Sequence, residues 1–466
     1  MWRSGGRALL VGDFWEKLAG SSIALSAVIA LCRAAHFDLV QPAALSSELV
    51  PESLNLPHAL PLSAYFELAP LVAGLEPQRL LSGRAWAEHV VTTPRARRTA
   101  VVLVWSDFPL ACRAGIANRS GLARCPQSCV ARVRKELQGS YARLTEGWPV
   151  TCLSSKTLRR SIRRGGLDVL GRYSAVMLVN WRRHDDSLPL VTSSLALRDR
   201  IVVPAASLRQ VAHAFLGANG VVPGVQCQGA ARRRLYTELR EARAISPVTA
   251  YSHLHCAGEH QAVQLRSNHV AHELYLSHIG HHAIECRSQL TSCLARLSAH
   301  TGDMRPLNSR STIIASDIAT LTALNQDGAT HRRHAYMKRC LLPAATDILR
   351  WYMHSGIAFG CDYLPNSSST MDTTFGLLPP GLGGGHCDPG SLGLVDLILA
   401  SEAATLTAVD VRRPWPSAFL DWIIRLRRRS RKPTTLIRCT SLGNMTEAVS
   451  VVSPSTSKSG PRFKAS

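Results

Sequence analysis

Two imidazoles, His253 and His255, stand two residues apart near the end of Val248–Cys256, a run of β-branched and aromatic residues that follows Pro247 and precedes Gly258. The period-two geometry of a strand points both rings to one face. A strand tip that projects polar groups beside a glycine is where open α/β sheets bind ligands. Read alone, the stretch is more simply a buried strand with incidental histidines. A second place for chemistry is Ser417, which opens the helical pattern Ser417–Arg429 after a strand. A helix start offers N–H groups and the positive end of a dipole, which suits a phosphate. A plain capping serine explains the same pattern, so both readings stay open. Asp396 places a carboxylate inside an apolar helical segment, either as a solvated residue or as an acceptor for a base or ribose donor.

Other clusters carry less. Histidines crowd positions 251–300, and His278 and His282 are four apart, a spacing that could hold zinc. No H-E-x-x-H accompanies them, so no metal is expected. The run Gly381–Gly385 lacks the Lys-Ser/Thr of a phosphate loop and reads as a connection. Arg425, Arg427, Arg428, Arg429, Arg431 and Lys432 form a basic run that could be a nuclear-targeting or nucleic-acid patch but more simply reads as a solvated helix end complementing the dipole.

These residues need a scaffold, and the chain supplies alternating strands and helices. Arg7–Val11 reads as a strand, Gly20-Ser21-Ser22 as a turn, Ile23–Ala35 as a buried helix, and Phe37–Pro42 as a second strand. That is one βαβ unit and implies a parallel sheet. Thr99–Trp105 and Ala175–Trp181 are buried strands, with 106–171 between them read as insertions and short helices. Ala206–Leu216 is a helix at 3.6 spacing, and 217–229 reads as a linker. Beyond it come Val248–Cys256, helices over 274–300, the strand Ser311–Asp317, the helix Leu392–Glu402 and the strand Ala404–Val409. Two successive βα halves predict a two-domain α/β protein with its ligand in the cleft between domains. The boundaries fall at 1–240 and 241–436, with a disordered Ser/Thr/Lys-rich tail over 437–466.

Composition narrows the classes. A chain of 466 residues exceeds one core, and 46 % apolar with 18 % charged residues is globular. The net charge of +22, from 54 Lys+Arg against 32 Asp+Glu, attracts anionic partners without choosing one. A nucleic-acid-binding protein is disfavoured, because no recognition module or aromatic-basic interleaving accompanies the charge. The 13 cysteines contain no C-x-x-C pair and leave the redox compartment open. The apolar run Ile23–Cys32 is too short to span a bilayer and is expected to be an internal helix, so no transmembrane segment or signal peptide is read.

Taken in order, the motifs resemble the GDP-fucose protein O-fucosyltransferase superfamily, including its plant branch. The first βα unit with Gly20 is similar to the family's opening, and Leu62–Leu68 to its F-x-x-Y-F-D segment. Tyr251–His255 falls where the family has its H-L-R strand, Ile313–Asp317 resembles its A-T-D strand, and Val395–Ala400 followed by Ser417-Ala418-Phe419 resembles its terminal V-D … S-S-F signature. The resemblance implies a GT-B-like fold of two Rossmann-like domains, an acceptor-side and a nucleotide-sugar-binding one. It implies GDP-fucose as donor, a protein or glycan hydroxyl as acceptor, and metal-independent inversion with no cofactor. His253, Asp396 and Ser417 would hold the nucleotide, Phe419 would line the base, and Gly20 and Asp317 would complete the site. The family works in the secretory pathway. The chain departs from the family at His255, which stands in place of the H-L-R arginine, and in a loop lengthened by about four residues, whose Arg412 and Arg413 could replace that guanidinium.

Overall fold

The computed structural model describes residues 7–11, 18–45, 48–51, 59–83, 86, 100–105, 123–137, 145–153, 170, 172–179, 197–218, 221–222, 255–256, 260–265, 288, 291–293, 295, 297, 312–316, 357–358, 388–410, 417–438 and 449–451. The chain divides into two units: Met1–Leu208 with Asp388–Ser391, and Arg209–Cys387 with Leu392–Ser466. Each is built on a largely parallel sheet, so the expected α/β class is what the chain adopts.

In the first unit, β1 (Ala8–Val11), α1 (Leu18–Ala35) and β2 (Asp38–Val40) form the predicted βαβ unit, with β1 and β2 paired in parallel. A small antiparallel sheet of β3 (Pro42–Leu45), β4 (Glu48–Pro51) and β5 (Leu60–Pro61) follows, then α2 (Leu68–Leu75) and β6 (Leu80–Leu81). The main sheet continues with β7 (Ala100–Trp105), β8 (Ala123–Arg124), α3 (Gln127–Glu136), β9 (Val150–Leu153) and β10 (Ala175–Val179). Its seven strands run β6-β2-β1-β10-β7-β9-β8. Of these, β1 and β10 are buried along their whole length, and Ala100–Val104 of β7 likewise, which is why they read as unbroken apolar runs. The segment expected to hold insertions and short helices thus gives two strands, β8 and β9, to the sheet, and β9 is the longer. Its Val-Thr-Cys-Leu is too short and mixed to stand out, but pairing with Val102–Trp105 determines its state.

Helix α1 begins five residues earlier than its apolar run, so its 18 residues meet the length and composition of a membrane span; 78 % of that stretch is buried inside the fold. Arg7 closes the far end of this helix. Its guanidinium donates to Ala35 O (2.8 Å), Tyr173 O (3.0 Å) and Leu170 O (2.5 Å), and lies 3.9 Å over the Phe37 ring. Burial holds its pKa below the usual arginine value.

The Leu62–Leu68 segment is stitched in at every step. Tyr65 and Phe66 are fully buried, Glu67 N–H donates to Val203 O (2.9 Å), and Ala205 N–H donates to Tyr65 O (2.8 Å). The Tyr65 hydroxyl donates to Asp388 Oδ2, which also accepts from the Ser391 N–H (2.7 Å) and hydroxyl (2.9 Å). Asp388 is therefore an N-cap whose carboxylate holds a buried tyrosine as well as the first helical turn. A Cβ at Gly390 would come within 2.4 Å of the Tyr65 hydroxyl and 2.6 Å of its ring, so this helical position requires glycine.

The second unit contains α4 (Ala206–Ala218) from Arg209 onward, β11 (Val221–Val222), β12 (His255–Cys256), β13 (Gln261–Leu265), β14 (Thr312–Ser316) and β15 (Ile357–Ala358). It is completed by α5 (Pro389–Glu402) from Leu392 onward, β16 (Thr405–Asp410), α6 (Ala418–Arg429), β17 (Thr434–Arg438) and β18 (Val449–Val451). The order β15-β14-β13-β16-β17-β18 is parallel except at β18, which runs antiparallel to β17. Two expectations are corrected here. The tail expected to be disordered includes a strand, Val449–Val451, that pairs with Thr434–Leu436. The presumed linker after 217 contains Val221–Val222, which pairs with His255–Cys256. In both places a short β-branched run sits inside polar or glycine-rich sequence, and its partner strand, not its neighbours, sets its conformation.

Candidate functional site

The parallel strands of the second sheet bring their C-terminal ends to one edge. Leu265 of β13 stands level with Ser316 of β14, and Gln264 with Ala408 of β16. From the end of β16 at Asp410 the chain reaches Ser417, which caps α6 with extended backbone (φ −51°, ψ 124°). The first helical bond runs from Asp421 N–H to Ser417 O at 2.9 Å, and the turn before it directs its N–H groups along the axis. The Ser417 hydroxyl makes no capping hydrogen bond to those groups. A helix start at the carboxyl edge of a parallel sheet, with an uncommitted hydroxyl, can receive an anion. The helix is fixed underneath by Leu420, Trp422 and Ile423, all buried, and by the pair Arg425–Asp421 at 2.8 Å on its flank.

Phe419 sits half-buried in the first turn of α6, two residues after Ser417. Asp396 is half-buried in the middle of α5, between buried Val395 and Leu397. Asp317 directly follows the end of β14 but, with His253, Arg412 and Arg413, lies outside the described residues. Gly20 is not in a turn ahead of the first helix; it is buried within the first turn of α1, because that helix starts at Leu18. Ser22 explains how polar residues fit there: its hydroxyl donates back to Ala19 O (2.8 Å), removing the turn signal that Gly-Ser-Ser suggested.

His255 opens β12, which pairs in parallel with Val221–Val222 in a separate two-stranded ladder. The strand expected to open the second sheet is therefore not in that sheet as described, and residues 248–254 lie outside the described set. The position beside β14 and β16 belongs to β13, Gln261–Leu265, which carries no clear strand signature. Its Gln-Ala-Val-Gln-Leu interrupts the apolar run usual for a central parallel strand.

Sequence reasoning also passed over a buried polar cluster at the end of α5. His260, fully buried, places Nε2 3.2 Å from Leu399 O, while its Nδ1 has no partner among the described residues. Because a carbonyl can only accept, Nε2 carries a proton. Burial pushes its pKa down to about 4, opposed by the Leu399 bond and reinforced by Lys432 and Arg427. Arg427, expected to face water, is fully buried and caps the end of α5. It donates to Ala400 O (2.9 Å), Ala403 O (2.7 Å), Ala404 O (3.1 Å), Pro433 O and Thr434 Oγ1 (3.0 Å). A signal existed: a 3.6-residue period through Leu420, Ile423 and Ile424 carries the buried stripe on to Arg427.

No protein-family model matches the chain, and no curated protein does. Among solved structures, POFUT1 in its apo form matches with 9 % identity and a TM-score of 0.43, over 94 % of this chain and 99 % of that one. The chain is similar to solved fucosyltransferases. POFUT1 in complex with GDP-fucose gives 10 % identity and a TM-score of 0.43 over 92 % of this chain and 96 % of the other. Fucosyltransferase NodZ from Bradyrhizobium gives 12 % and 0.38, over 96 % and 99 %.

Proposed function

We propose that the protein is a glycosyltransferase resembling O-fucosyltransferases, which transfers fucose from GDP-fucose to a protein or glycan hydroxyl by inversion and without a metal. The observation that carries this reading is Ser417: a helix start at the carboxyl edge of a parallel sheet whose hydroxyl is not used to cap its own helix. The diphosphate would bind to the first turn of α6 and the Ser417 hydroxyl, since negative charge is favoured at that end of the dipole. Phe419 would line the guanine, with Gly20, His253, Asp317 and Asp396 as further donor contacts. Arg412 and Arg413 would neutralise the leaving diphosphate. Disulfides at Cys125–Cys152, and those that hold Cys129 and Cys293, favour an oxidising compartment and so a secretory setting.

A second reading, a nucleotide-sugar-binding relative without turnover, is favoured by His255. An unperturbed histidine is mostly neutral near pH 7 and has no bidentate fork, so it replaces a permanently charged arginine poorly. Loss of one such transition-state contact costs roughly 10²–10³ in rate. The two readings separate in one assay of fucosyl transfer and donor hydrolysis. The first predicts turnover by the wild type that falls about 10- to 100-fold in Ser417→Ala, the worth of a hydrogen bond to a charged group. Because the hydroxyl makes no cap bond, the helix content and melting of that variant stay unchanged. GDP binding without turnover selects the second reading.

A further inference from the structure

We propose that Cys125, Cys129 and Cys152 form a thiol–disulfide exchange site, at which a small anionic thiol of the glutathione class becomes attached to Cys125. The three sulfurs lie within 4.8 Å of one another in the first unit. Cys125 directly follows the edge strand β8, Cys129 is in the first turn of α3, and Cys152 is in β9. Cys125 is bonded to Cys152, Cys129 is held in a disulfide of its own, and Cys129 Sγ rests 3.9 Å from Cys152 Sγ. Two disulfides thus touch, sulfur against sulfur.

Access to them is unequal. Cys129 and Cys152 are fully buried in the core that includes Trp86, Trp148 and Val133, while Cys125 is only partly buried at its margin. An incoming thiol therefore reaches Cys125 first. The neighbouring charge suits an anion: Arg124, the residue before Cys125, is exposed. The start of α3 also stabilises thiolate charge near Cys129.

Exchange proceeds by thiolate attack on a disulfide sulfur. The entering thiolate bonds to Cys125 Sγ, and the Cys125–Cys152 bond breaks with its electron pair on Cys152 Sγ. That thiolate, already in contact with Cys129 Sγ, bonds to it and displaces the present partner of Cys129, which leaves as a thiolate and takes a proton from water. One thiol enters, one is released, and the number of disulfide bonds is unchanged, so no oxidant is needed. The outcome unties β8 from β9 at the sheet edge and joins α3 to β9 instead.

The test uses the full chain, incubated with excess reduced glutathione, blocked with N-ethylmaleimide and mapped by tandem mass spectrometry without reduction. The expected products are a glutathione adduct on Cys125 and a Cys129–Cys152 link. An adduct on either buried cysteine, or a surviving Cys125–Cys152 bond as the sole product, overturns the proposal. Cys125→Ser tests the second step alone. Cys152 should then be joined to Cys129 with no glutathione added, and a Cys152 that alkylates freely after denaturation contradicts the relay. If that variant fails to fold, the wild-type map decides by itself.

Discussion

Arg427→Met should destabilise the second unit by about 4 kcal/mol. This guanidinium donates five hydrogen bonds, four of them to backbone carbonyls at the end of α5 and the entry to β16 and β17. The last turn of any helix leaves carbonyls without intrahelical partners, and here those of Ala400 and Ala403 are turned into the protein interior. Methionine fills most of the volume but donates nothing, and each stranded buried carbonyl costs about 1–3 kcal/mol. Arg427→Lys keeps a charge and three donors on a different geometry, so it falls between the two. Although burial pushes its pKa down to about 10, the arginine remains charged at neutral pH and its bonds are charge-assisted. Urea unfolding measures this directly. A loss under about 1 kcal/mol for the methionine variant, at unchanged denaturant dependence, shows that the carbonyls find other donors.

Mild acid should weaken the protein through His260. Its pKa is near 4 when folded, against 6.5 for the free side chain, so the native state binds the neutral ring. A group whose folded pKa is depressed contributes its full stability above the unfolded value. That contribution is lost as pH falls from about 6.5 through about 4, where the unfolded chain holds a proton that the folded one refuses. The gap between 6.5 and about 4 corresponds to about 3 kcal/mol. The loss has a local cause: a charged ring would sit in a dry site beside Arg427 and Lys432, with Nδ1 unpartnered among the described residues. His260→Gln retains a donor for Leu399 O without a titrating group. The wild-type minus variant stability should therefore fall by about 3 kcal/mol between pH 7 and pH 4. A difference that is flat with pH would mean that the ring is protonated at no cost.

These two residues also show where sequence reasoning stops. The strands β1, β7, β10 and β16 and the helices α1, α4, α5 and α6 were legible because each buries a continuous stripe or run, and burial writes itself into periodicity. The strand β13 was not, because two glutamines interrupt it and only its partners on either side make it central. The arginine excess was legible as charge but not as architecture. Arg7 and Arg427 each close the end of a helix from within, one in each unit, and no spacing rule distinguishes such an arginine from a solvated one. At the candidate site, Ser417 was legible as a helix start after a strand. That its hydroxyl stays uncommitted was not, since a serine there ordinarily caps its own helix. Gly20 misled because Gly-Ser-Ser is turn chemistry in isolation, whereas back-bonded serines allow it to continue a buried helix.

Isothermal titration of GDP and GDP-fucose into the full chain bears most directly on the central claim that the start of α6 holds a nucleotide diphosphate. Saturable heat for both ligands with Kd below about 1 mM is predicted, weakened about 10-fold or more in Ser417→Ala at unchanged melting temperature. No heat from either ligand at about millimolar concentration contradicts the account, and equal affinity in Ser417→Ala removes Ser417 from it.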